Sequence, residues 1–161
     1  FSIRSRVCGV KCDGEEDAGQ SLHFGRAGLM VRESLDPLAR NVFVSHSPYD
    51  QVEWTFRPIE GGDTMTKWHE SHDVECLWIT LVWNGDNFVA TYAYKGGERI
   101  DNESTDYSCD GLEIGDPILS FTIKDMSSKV YVGLAVSTAV SPPKCTYTTA
   151  NFHDIECQGC N

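Results

Sequence analysis

The sequence predicts an all-β chain, an antiparallel β-sandwich, and three observations carry that prediction. Apolar and polar residues alternate at a period of two along most of the 161 residues. Gly, Pro, Asn and Asp punctuate these runs at short intervals. No segment sustains a helical period, and no internal repeat is present.

Taken in order, residues 1–7 (FSIRSRV) alternate as a first strand, and residues 8–20 read as a loop with an acidic run, Asp13-Gly14-Glu15-Glu16-Asp17. Residues 23–33 contain a second strand with Ala27, Leu29 and Val31 on one face. Asp36-Pro37 turns the chain into residues 41–47, where Val42, Val44 and His46 oppose Phe43, Ser45 and Ser47. After Pro48-Tyr49-Asp50, Val52, Trp54 and Phe56 alternate with Glu53, Thr55 and Arg57, a strand with one dry and one wet face. Residues 59–75 read as a long polar insertion.

The clearest element spans residues 78–94. Ile79, Leu81 and Trp83 share one face of a strand, Phe88, Ala90, Tyr92 and Tyr94 one face of the next, and Asn84-Gly85-Asp86-Asn87 closes the hairpin between them. Both faces are rather apolar, which places the hairpin centrally in a sheet. A second polar segment covers residues 95–116. Short strands follow at 118–123, 129–138 and 146–156, and Cys157-Gln-Gly-Cys160 closes the sequence. Alternation gives a core of Leu29, Val31, Val42, Val44, Trp54, Phe56, Ile79, Leu81, Phe88, Val132, Leu134 and Phe152, inside one domain over residues 1–161.

Seven cysteines are spread over the chain, dense for a reducing compartment and ordinary for a secreted protein. The sequon Asn102-Glu103-Ser104 lies in polar sequence where an N-glycan is accessible. Together they predict an extracellular or cell-surface setting. The net charge of −11 argues against nucleic acid and against an anionic membrane surface, and no apolar run is long enough for insertion across a bilayer. Residue 1 already lies in strand-like sequence, so the chain reads as processed or as a piece of something longer. Cys76 enters the first hairpin strand and the chain returns to that end before Cys109, which makes them the preferred disulfide. Cys8 or Cys12 is placed within reach of Cys145 if the first strand runs antiparallel to the last. The odd count leaves at least one cysteine without a partner in the chain, and Cys157 and Cys160 are expected to reach another copy or a following domain.

The order of three stretches resembles a known family. Residues 27–44 (AGLMVRESLDPLARNVFV), 78–92 (WITLVWNGDNFVATY) and 130–156, with VYVGLAVST ahead of ANFHDIE, are similar to concanavalin A-like β-sandwich modules appended to large secreted bacterial proteins. The resemblance covers residues 1–156, leaving 157–161 as a cysteine-containing tail. It implies a jelly roll whose first and last strands are neighbours, and it brings no catalytic residues. The two polar insertions and the cysteines depart from that lean pattern.

Site chemistry is sparse. Concanavalin A-like glycosidases carry Glu-x-Asp-x-Glu on one strand. The nearest run here, Glu70-Ser71-His72-Asp73-Val74-Glu75, puts Glu70 out of step, and no catalytic residues are expected. His69-Glu70-Ser71-His72 lacks zincin spacing. No cofactor is expected beyond a structural calcium on Asp13, Glu15 and Asp17, or on Asp101, Asp106 and Asp110. Trp68, in the polar insertion, and Trp78, out of phase with the core, are the rings expected to be exposed enough for stacking on a glycan. The expectation is a non-catalytic structural or adhesive module, a building block of a fibre-like assembly with other copies of itself or neighbouring domains as partners. A carbohydrate-binding module is the alternative.

Overall fold

The computed structural model describes residues 1–13, 25–47, 51–70, 76–85, 87–95, 112–114, 119–138 and 147–160. Eleven strands are present among them and no helix: β1 (Ser2–Asp13), β2 (Gly25–Arg32), β3 (Asn41–Ser47), β4 (Gln51–Arg57), β5 (Met65–Glu70), β6 (Cys76–Trp83), β7 (Asn87–Lys95), β8 (Leu112–Ile114), β9 (Leu119–Thr122), β10 (Tyr131–Thr138) and β11 (Tyr147–Gln158). They form two antiparallel sheets. One runs β11-β1-β6-β7-β8, with β9 also on β7, and the other runs β10-β2-β3-β4-β5. The first and last strands are neighbours, as the resemblance implies.

Each sheet turns one set of alternating side chains inward. Ala27, Leu29, Val31, Val42, Val44, Val52, Trp54 and Phe56 meet Ile3, Val7, Leu77, Ile79, Leu81, Phe88 and Ala90 in a single core. The hairpin β6–β7 turns as its sequence requires. The Asn84 N–H donates to the Asn87 carbonyl, the Asn87 N–H donates to Asn84 Oδ1, and Gly85 takes φ 104°, which favours glycine. Trp83 stacks on Phe88 and meets Phe1 edge-on.

Ser5 is buried with inward parity, and its hydroxyl donates to the His153 carbonyl at 3.0 Å. A register shift in the β1–β11 ladder, with Asp154 at φ 51°, leaves that carbonyl available.

The structure departs from expectation in several places. β1 continues to Asp13, through residues expected to form a loop. Met65–Glu70, inside the expected polar insertion, is a regular strand on β4. Leu134 is not core. β10 is the outermost strand of its sheet, so its inward-parity side chains reach only the rim, with Val132 partly buried and Leu134 exposed. Phe152, on the edge strand β11, is likewise only partly buried against the core.

Candidate functional site

The cysteines take positions set by strand order. β1 lies against β6, and Cys8 falls directly opposite Cys76 with Cα atoms 4.1 Å apart, the close spacing of a non-hydrogen-bonded pair. These two are disulfide-bonded, so the expected Cys76–Cys109 bridge and a Cys8–Cys145 bridge are both overturned. The sequence does not show that β1 is the partner of β6, and that adjacency decides the pairing. Cys157 and Cys160 are bonded to each other, which corrects their expected role as a link to another chain. The Cys12 backbone lies opposite Thr148 in the β1–β11 ladder. The disulfides fit an oxidising, extracellular-type environment.

Trp78 has the parity expected, on the outer face of its sheet, but it is not exposed. The Arg4 guanidinium carbon sits 4.0 Å from its ring centroid. Trp68 pairs with Glu53 in the β4–β5 ladder, and its side chain lies outside the described residues. So do Asn102, Cys109, Cys145, Glu15, Asp17, Asp101, Asp106, Asp110, the run from Ser71 to Glu75, and the side chains of Asp13 and Glu70. Among the described residues no three His, Cys, Asp or Glu side chains come together to hold a metal.

The outer face of the five-stranded sheet is polar yet largely buried. Arg26 on β2 and Glu53 on β4 reach across β3 to form an ion pair at 2.6 Å. Ser45 and Ser47 of β3, the strand they span, are buried. Gly28 lies beside Ser45, where a Cβ would fall onto the Val44 carbonyl and close to the Ser45 Cα. Burial raises the Glu53 pKa, against the opposing pull of Arg26.

Two surfaces remain as functional candidates. The first is the rim where β10 and β11 lie against one another. β10 is eight residues long, contains no charge and no proline, and keeps an unbroken register with β2 from Tyr131 opposite Arg32 to Thr138 opposite Gly25. Among the described residues its other edge has no strand partner. Tyr131, Leu134 and Val136 are 54%, 41% and 47% exposed. β11 differs, with two register shifts and with His153, Asp154 and Glu156 along its length.

The second surface is the end of the sandwich formed by residues 33–40, 58–64 and 123–130. Three arginines brace it. Arg32 donates to the Ser34 and Asp36 carbonyls, and Arg57 donates to the Pro37 and Gly62 carbonyls and to Thr64 Oγ1. Arg40 holds Glu33 through two nitrogens and donates to the Lys124 carbonyl at 2.9 Å, while the Ser127 N–H donates to Glu33. The Arg40 hydrogen bond keeps the Glu33 carboxyl below the usual carboxylate range, and Glu33 raises Arg40 in return. Between the loops lies an open hollow of about 560 Å³ lined by Arg40, Pro58, Ile59, Glu60, Thr122, Lys124 and Asp125.

Comparisons with family models, with curated proteins and with solved structures found no match. The chemistry of these two surfaces therefore carries the functional argument. Sequence reasoning missed the second surface, although Leu35 and Leu38 flanking an Asp-Pro turn were a signal: they are apolar residues that no strand alternation requires.

Proposed function

We propose that the chain is a non-catalytic extracellular structural module, a building block that joins other copies edge to edge through β10. The observation that supports this reading is the contrast between the two rim strands. An edge strand exposes unpaired N–H and C=O groups, and proteins that remain monomeric blunt such edges with charge, proline or bulges. β11 carries bulges and charges, whereas β10 carries none of these protections and adds exposed Tyr131, Leu134 and Val136. Antiparallel pairing of β10 with β10 of a second copy would join two five-stranded sheets into one of ten strands, with a two-fold axis relating identical surfaces. Because β10 has no charge, the −11 of each chain is not concentrated at the contact.

Glycoside hydrolysis needs two carboxyl groups facing each other across a bond. Glu53 is the buried carboxylate among the described residues, and Arg26 neutralises it. The burial of Trp78 removes one of the two rings that a glycan-binding reading rests on.

Sedimentation equilibrium over a range of concentrations tests the proposal. The wild type should show a reversible dimer or larger species, and Leu134→Lys with Val136→Lys should be monomeric with an unchanged far-ultraviolet spectrum. A wild type that stays monomeric at every concentration overturns it.

A further inference from the structure

The loop end of the sandwich has features that association through β10 does not explain. Leu35, Leu38 and Ile59 are 71%, 56% and 68% exposed. They project from loops with fixed backbones. Leu38 N–H donates to Asp36 Oδ1, Ala39 N–H to the Asp36 carbonyl, and Gly61 N–H to the Leu38 carbonyl, which ties the 33–40 loop to the 58–64 loop. Arg57 bridges the same two loops. A rigid frame that holds large apolar side chains in water has already lost the loop entropy that would oppose their burial.

Beside Ile59 lies the hollow described above, and its polar lining has both signs. Lys124 and Arg40, whose guanidinium is also held by Glu33, face Glu60 and Asp125. Both carboxylates lie near enough to act on the Arg40 charge. Asp125 holds a left-handed backbone, φ 58°, a conformation costly for a non-glycine residue. A simple anion or a simple cation would each meet like charge in this lining. A zwitterion meets complementary groups, with phosphate on Lys124 and Arg40 and a quaternary ammonium on Glu60 and Asp125.

We propose that this end of the sandwich docks on a zwitterionic phospholipid surface, with Leu35, Leu38 and Ile59 entering the acyl boundary while a headgroup occupies the hollow. Apolar insertion supplies the binding and the mixed charges select the headgroup. The net charge of −11 disfavours an anionic bilayer and leaves a zwitterionic one available. Nothing in this mode needs a spanning segment, and among the described residues no helix is long and apolar enough to form one.

The test is co-sedimentation of the chain with vesicles of pure phosphatidylcholine, and with vesicles in which phosphatidylserine replaces part of it. Binding to the pure phosphatidylcholine vesicles is expected, weakening as phosphatidylserine is added. Leu38→Asp and Ile59→Asp should each lower partitioning by about tenfold or more, given the transfer cost of an apolar side chain. Free phosphocholine should shift the amide resonances of residues 122–125 in the wild type, a readout independent of insertion. No binding to phosphatidylcholine, binding that rises with phosphatidylserine, or partitioning unchanged in both aspartate variants overturns the proposal. So does a change in oligomeric state in Leu38→Asp without vesicles, which would assign this surface to a second copy.

Discussion

Acidification should destabilise this sandwich through one histidine. His46 has the parity of Val42 and Val44, lies between Ala27 and Val52 in the ladders, and is buried in the core. Among the described residues its Nδ1 has no hydrogen-bond partner, and burial lowers its pKa from 6.5 to about 4. Above pH 6.5 the imidazole is neutral in both folded and unfolded chains. Between pH 6.5 and about 4 the unfolded chain binds a proton that the folded chain refuses, so stability falls as pH falls. The slope is about 1.4 kcal/mol per pH unit, and across that window it sums to about 3 kcal/mol. Glu53, with a raised pKa, has the opposite sign and favours folding as pH falls through its window, while the lowered Glu33 loses its contribution below the carboxylate range. The assay must therefore be a difference. Urea unfolding of wild type and His46→Leu at intervals from pH 7 to 4 gives two profiles, and subtraction removes both glutamates. The gap should grow steadily in favour of the variant as pH drops. A gap that stays constant, or a His46 ring that titrates near 6.5 by NMR, would falsify the buried-neutral assignment.

Four other perturbations have defined outcomes. Replacing Cys8 and Cys76 together with Ala should lower unfolding stability by about 2–4 kcal/mol, read from the urea midpoint, and no loss would mean the bridge adds nothing to a ladder already formed. Gly28→Ala drives a methyl into the Val44 carbonyl and should cost about 1–3 kcal/mol. Gly133→Ala meets no atom within 4 Å and should be near neutral in the same melts, so equal effects of the two would sink the close-approach argument. Glu53→Ala strands the Arg26 guanidinium at a largely buried position and should cost about 3–5 kcal/mol, much of it recovered when Arg26→Met is added.

Much of the sandwich was legible because a period of two is written directly in the residues. Leu29, Val31, Val42, Val44, Trp54, Phe56, Ile79, Leu81 and Phe88 are core as their alternation requires, and the parity of Trp78 was read correctly. Alternation says which way a side chain points but not what stands opposite it. Trp78 points away from the core and is buried regardless, beneath Arg4, and Leu134 points toward the core but lies at a rim. β5 escaped notice because Thr66 and Lys67 lack the apolar side chains that mark a strand; its ladder with β4 supplies the pairing instead. The Cys8–Cys76 bridge was hidden for a related reason, since strand adjacency between residues 68 positions apart leaves no local trace. The loop end was the least legible. Most of its braces are arginine-to-carbonyl bonds, and a carbonyl is supplied by every residue.

Bonds to backbone carbonyls also govern how the loop end can change over generations. Arg32, Arg40 and Arg57 grip the carbonyls of Ser34, Asp36, Pro37, Gly62 and Lys124, groups that survive nearly any substitution at those positions. The side chains at 35, 38 and 59 take no part in that grip. The apolar tip and the framework are thereby uncoupled: three arginines hold the shape of the platform, and the side chains at its tip can change without disturbing it. Related chains that keep the arginines should present the same scaffold with different residues at its tip, a fixed stage for changing partners.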